Sequence, residues 1–366
     1  MQVTRILTIF TLICLMLSCS ADPGRGKSID DIRNGNKNNG GREGGEDAFP
    51  AAMISAAEVT DLMVEKAKEY REASVLEGHR NGIYVYSGAT FDAYVSKPEK
   101  LAARVAMLGF KDVYLSPGSS RINNADAGLR RFIASCSKYG IDVYAVALSS
   151  LQNLVSASTT ISEVERIAKY NETVSSGERF AGIAADLEPH TCHDANKPSG
   201  VQYTWNSASN YGKGKDNDQL LRLTLDRLHT AGDVLHSAGL RLAEAIFYNY
   251  QIYYDQGQLE YGSTAQFLND CDFLITMAYL TSKESILSKS EPGLKAAGKN
   301  GSVSICVKTR MNSDSGSSIQ NLGWKNLLEV ARYVNEKASA YPSYRGFDMF
   351  TFDGLETMWE WENDKN

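Results

Sequence analysis

Asp186 and Glu188 are the residues of this 366-residue chain whose type and spacing best suit chemistry. They close the run Gly182-Ile183-Ala184-Ala185-Asp186-Leu187-Glu188-Pro189, where small and apolar residues give way to two acids two positions apart. Side chains of an extended strand alternate between faces, so positions i and i+2 share one. Two carboxylates held that close disfavour each other's ionisation, and one can keep its proton near neutral pH. The pair therefore suits a general acid and a partner that steers it. A structural reading competes with this one, since acids at strand ends also hold helix N-termini or an arginine.

To act, such a pair needs a strand that ends in a cleft, and the surrounding pattern supplies one. Beyond Arg80, short β-rich runs alternate with helical stretches. Strands are expected at 82–86, 112–115, 141–148, 180–188, 240–247, 273–279, 303–307 and 347–352. Helices are expected at 98–108, 125–139, about 161–171, 218–238 and 324–340, with a further helix over 51–73 ahead of them. Eight strands separated by helices imply parallel pairing through crossovers. The roughly 285 residues after Arg80 suit one (β/α)8 barrel, about 250 residues in its usual form. A doubly wound open sheet is the alternative, but Ser87-Gly88-Ala89-Thr90 is too sparse for the phosphate loop that would follow its first strand. In a barrel, functional residues gather at the C-terminal strand ends, where Asp186 and Glu188 fall.

Ala181-Gly182-Ile183-Ala184-Ala185-Asp186-Leu187-Glu188 resembles the Asp-Gly-x-Asp-x-Asp-x-Glu signature of glycoside hydrolase family 18, the chitinases and endo-β-N-acetylglucosaminidases. Gly182, Asp186 and Glu188 match it, whereas Ala181 and Ala184 stand where the family has acids. The run Cys271 to Tyr279 is similar to the family's apolar strand ending Met-x-Tyr-Asp, with Leu280 in place of the last Asp. Gly346 to Asp353 is similar to its closing Gly-x-x-x-Trp-x-x-Asp, with Phe350 in place of Trp. The resemblance implies that Glu188 protonates a glycosidic oxygen. Asp186 would then orient the substrate's 2-acetamido group as its carbonyl attacks the anomeric carbon, and Tyr279 would hydrogen-bond that group. The Asp-Leu-Glu-Pro-His turn also resembles uncharacterised barrel proteins of the same clan. The expected strand 303–307 and its sequel Lys308-Thr309 carry no acid, so a retaining enzyme with two protein carboxylates about 5–5.5 Å apart would lack its partner there. Substrate assistance removes that need. Glu244 is a candidate substitute nucleophile, and equally a buried, paired core carboxylate.

Other residues are candidates for binding the glycan: His190, Trp205, Glu244, Tyr248, Asn249, Phe350 and Asp353. Trp205 lies in a long segment, 191–216, rich in aromatics and amides, and long loops in compact domains are more often functional than not. Trp359 and Trp361 suit the same wall or the packing of a C-terminal helix. His190, Cys192, His193 and Asp194 are ligand types for zinc, but they share one loop and lack a second donor set, so neither metal nor cofactor is expected.

The start of the chain reads differently. Arg5 and the apolar run Ile6–Leu17 form a signal segment too short to anchor the mature protein. Leu15-Met16-Leu17-Ser18-Cys19 resembles a bacterial lipobox, which implies acylation of Cys19; an ordinary secretory signal is the alternative. Residues 19–49 are rich in Gly, Asn and charge and read as a tether. The expected organisation is thus a signal peptide at 1–18, a tether at 19–49 and a barrel domain at 50–366, in a lipid-anchored protein of the bacterial cell envelope. Cys136, Cys192, Cys271 and Cys306 remain, without metal-type spacing. Hydrophobic residues make up 43% and charged residues 22%, enough for a large core. The net charge of −6 opposes nucleic-acid binding. Nineteen tyrosines suit sugar stacking and core filling alike. A glycosidase for N-acetylhexosamine-containing glycans is the first expectation, with Glu188 as acid. A non-catalytic carbohydrate-binding lipoprotein is the second, and a barrel acting on non-acetylated sugars through Glu244 the third. Oligomeric state is not legible.

Overall fold

A computed structural model describes residues 48–206, 214–310 and 317–360. The signal segment, Cys19 and nearly all of the expected tether lie outside the described residues, as do Tyr211 and Trp361. From Phe49 onward the chain is one compact unit. Its core is a closed barrel of eight parallel strands paired in chain order, β1 to β8 and back to β1. They are β1 Gly82–Val85, β2 Asp112–Leu115, β3 Asp142–Ala147, β4 Gly182–Ala185, β5 Arg241–Phe247, β6 Phe273–Met277, β7 Val303–Lys308 and β8 Tyr344–Phe350. Helices cover the outside, so the outward strand face is as apolar as the inward one. This is the expected (β/α)8 barrel.

Two longer helical stretches depart from expectation. The first helical stretch is two helices, Ala51–Ala57 and Asp61–Ser74. Glu58 between them takes a left-handed conformation, and the Thr60 hydroxyl accepts from the Met63 N–H to start the second. A helix at Lys283–Ala296 was not expected, because Pro292 and three serines mask its period. No described helix is long and apolar enough to cross a membrane.

The barrel interior is built in tiers. Tyr84, Tyr114 and Tyr144 are aligned across β1, β2 and β3. With Ala184, Ala243, Phe273, Ile275 and Cys306 they form a buried inner cluster. Below it, at the N-terminal strand ends, Arg80 pairs with Asp112 and Asp142 at 2.6 and 2.7 Å, and Arg241 pairs with Asp142 at 2.7 Å. Arg345 meets Asp112 at 2.7 Å and lies over the Phe273 ring at 3.9 Å. The β7–β8 register skips from Tyr344 to Gly346, so Arg345 is the extra residue of a bulge. Gly182 is required by close approach: a Cβ there would stand 2.0 Å from the Arg241 carbonyl oxygen.

Candidate active site

Above the tyrosine tier the barrel opens. Two residues beyond Tyr84, Tyr114, Tyr144 and Ala184 on the inward face stand Tyr86, Ser116, Val146 and Asp186, and each is partly exposed. At the end of β4 the alternation continues: Asp186, Glu188 and His190 are partly open, while Leu187 and Pro189 between them are buried. The two acids therefore share the barrel mouth. The backbone around them is held from both sides. The Leu187 N–H donates to Glu244 Oε1 at 3.1 Å, and the Glu188 carbonyl accepts from Thr191 N–H at 2.9 Å and from its hydroxyl at 2.8 Å. Pro189 to Thr191 form the single 3-10 turn that makes this possible.

Burial pushes the Asp186 carboxyl up from the usual range. Glu188 is pushed further, by burial first and then by the charge of Asp186. Among the described residues no lysine or arginine comes within ion-pair distance of either. The one basic ring beside them is His190, whose Nε2 is 3.8 Å from Glu188 Oε1. Burial, with His193 adding, lowers His190 to about 4, so it stands neutral there. Its Nδ1 is hydrogen-bonded to the Tyr250 hydroxyl at 2.8 Å, and its ring stacks on Phe247 at 4.5 Å. The mouth thus combines a proton-retaining acid, a second carboxylate and a neutral imidazole.

Tyr279 lies just past β6 and is partly exposed. Burial and the nearby charges, Asp186 and Glu188 among them, raise its phenol well above the usual value. Phe350 ends β8, its ring 5.0 Å from Tyr86, 5.4 Å from Tyr84 and 5.7 Å from Tyr279. It forms the apolar floor of the mouth.

The other expected binding residues take varied places. Trp205 is 6% exposed and packs at 5.7 Å from Tyr250, inside the aromatic cluster behind His190. Tyr248 and Asn249 are half-buried where β5 passes into the helix Asn249–Asp255, with Tyr248 against Phe247 at 4.8 Å. Asp353 accepts from the Thr351 hydroxyl in the first turn of the helix Phe352–Glu360. Glu244 is fully buried. Ala243 beside it belongs to the inner cluster and Leu242 and Ile246 to the outer one, so Glu244 faces the helices. That placement removes it as a nucleophile and gives it a task behind β4 instead. Burial and the fields of Asp186 and Glu188 raise it well above the usual range. Trp359 is buried and donates to the Met63 carbonyl at 2.7 Å, which is packing. Cys192 is buried, and Asp194 points to solvent beside Lys197. Among the described residues no three His, Cys, Asp or Glu side chains gather in a way that could hold a metal ion.

Sequence reasoning missed two basic residues. Lys308 closes β7 on the same face as Cys306, is 7% exposed, and has its Nζ 5.7 Å from the Tyr279 ring centroid. Arg310 follows, with its N–H on the Phe350 carbonyl at 3.3 Å and its charge felt by Tyr86. Alternation along β7 was the available signal.

No protein-family model matches the chain, and no curated protein does. Solved structures similar to it include a chitinase of glycoside hydrolase family 18 from Pseudoalteromonas aurantia, at 16% identity and a TM-score of 0.45. That match covers 76% of this chain and 97% of the other. A chitinase from Chromobacterium violaceum matches at 12% identity and 0.44, covering 78% and 100%. An active-site mutant of a Rhizomucor miehei β-1,3-glucanosyltransferase matches at 13% and 0.43, covering 74% and 86%. At such identities and scores these likenesses, to chitinases and to other barrel enzymes alike, assign no chemistry to this chain.

Proposed function

We propose that the barrel mouth is a glycosidase site for N-acetylhexosamine-containing glycans, with Glu188 as its general acid. The observation that carries this reading is the Asp186–Glu188 pair itself: two partly open carboxylates on one strand face, both pushed toward the neutral form, with no cation against either. In the first step Glu188 gives its proton to the glycosidic oxygen as that bond breaks. The substrate's acetamido oxygen forms the new bond to the anomeric carbon, while Asp186 takes the hydrogen bond of the acetamido N–H and balances the positive charge on the ring so formed. Tyr279 donates to the same group. In the second step Glu188 accepts a proton from water as water's oxygen opens that ring, which restores the acid. Glu244, out of reach of the mouth, takes no part as nucleophile.

The alternative is a sugar-binding barrel without turnover. Ala184 favours it, because it leaves Asp186 with a closed apolar tier beneath and no acid to tune it. Comparing Glu188→Gln with the unaltered protein separates the two. The enzyme reading expects binding of N-acetylglucosamine oligomers in both and cleavage only in the unaltered protein; binding in both with cleavage in neither overturns it. We further infer an exported, lipid-anchored protein of the bacterial envelope, with residues 1–18 removed and Cys19 acylated, on the strength of Leu15 to Cys19. Cys19→Ser would then leave the protein in the soluble fraction.

A further inference from the structure

At the end of β7, where many barrel hydrolases carry an acid, this chain carries two cations. Lys308 shares the inward face of β7 with Cys306 and is almost covered. Its ammonium is hydrogen-bonded to the Ser317 hydroxyl at 3.2 Å and lies beside the Tyr279 ring. Arg310, two positions on, is partly exposed and close enough to Tyr86 for its charge to act on that phenol, whose ring lies 5.0 Å from Phe350. Among the described residues neither has a carboxylate within 4.0 Å, although most basic groups at the opposite barrel end do. A covered ammonium without a counter-ion is costly unless something supplies the charge. Asp186 and Glu188 do not, neither having a lysine or arginine within 4.0 Å among the described residues.

Resting on the glycosidase reading, we propose that the glycan taken by this mouth bears an anionic substituent, a carboxylate or a sulfate, seated between Lys308 and Arg310. The charge of the substituent supplies what the described residues around Lys308 and Arg310 do not. Lys308 offers a point charge and Arg310 a fork that matches a planar or tetrahedral oxyanion. Tyr279 and Phe350 between them place the sugar ring against the same wall, so the acidic group sits beside the bond to be cut rather than at a remote subsite. A neutral polymer of N-acetylglucosamine would leave the two cations unmatched.

The test is calorimetric binding to the full chain of three oligosaccharides of equal length: neutral chito-oligosaccharide, hyaluronan fragments bearing uronate, and chondroitin sulfate fragments bearing uronate and sulfate. Tighter binding of an acidic fragment by about tenfold, weakening with added salt, is the expected result. The hyaluronan and chondroitin arms separate carboxylate from sulfate. Lys308→Met should erase that preference, and Lys308→Arg should restore it; the rescue distinguishes recognition from a merely structural lysine. Arg310→Gln should lower the preference separately. Equal or tighter binding of the neutral oligomer, unchanged by Lys308→Met, overturns the proposal while leaving a glycosidase in place. Acidic binding without cleavage, alike in Glu188→Gln, overturns the glycosidase and leaves the anionic ligand standing. Binding of none of the three overturns both.

Discussion

Glu188 must hold a proton to act as an acid and must let it go as the bond breaks. Burial and the charge of Asp186 both raise it, so cleavage should persist to higher pH than an ordinary carboxyl allows and fall as the pH passes its raised value. Asp186→Asn removes the negative neighbour and should move that alkaline limb downward, besides cutting turnover. Glu188→Gln should lower kcat by about 10²–10⁴ with KM little changed; the pH profile of kcat/KM checks both. Glu244 permits a separate stability prediction. Its folded value is raised above its unfolded one, so its contribution is fully present below about pH 4 and is lost as the pH rises toward its raised folded value. Glu244→Gln keeps an acceptor for the Leu187 N–H and should flatten that alkaline loss. Glu244→Leu leaves the N–H unpaired and should cost about 1–3 kcal/mol, read by urea unfolding. The tyrosines of the inner tier differ in the same way. Tyr114 donates to Asp348 at 2.9 Å, whereas the Tyr144 hydroxyl is buried with no hydrogen-bond partner among the described residues. Tyr114→Phe should therefore destabilise, and Tyr144→Phe should be neutral or stabilising.

Strands and helices show what a sequence can and cannot say about such a molecule. All eight strands are legible from apolar runs, because a parallel barrel buries both faces and each run is bounded by turns. β8 begins at Tyr344, three residues before the expected start, since the bulge at Arg345 turns a charge into the barrel and breaks the apolar pattern. The helix Lys283–Ala296 was illegible for the reason given by its proline and serines. At the site, the spacing of Asp186 and Glu188 was enough to put both in the mouth, but spacing cannot distinguish faces on a strand apolar on both. Glu244 therefore read equally as open to the cleft or as a buried core carboxylate, and Lys308, on an acid-free strand, did not read as part of it. Trp205 read as a platform because loop aromatics look alike until packing is known. Gly182→Ala tests the element scale directly: the added methyl forces β4 away from β5 at Arg241 and should cost about 2–3 kcal/mol or more, with a matching fall in Tm.

At the scale of the whole molecule, the region from Phe49 onward carries its own core. Removing residues 1–48 is expected to leave its Tm unchanged, measured by thermal unfolding, and, on the proposed reading, to spare the glycan binding seen by calorimetry while abolishing the proposed membrane anchoring. Within that unit, Tyr84, Tyr114, Tyr144 and Phe273 close the barrel beneath the two carboxylates. The mouth is therefore a basin with a solid bottom and cannot be threaded. A long polymer must lie across it, enter and leave by the same side, and present a bent or protruding stretch of its backbone to reach the acids. On the glycosidase reading, release of both fragments and the arrival of the water that completes each cycle then compete for one doorway.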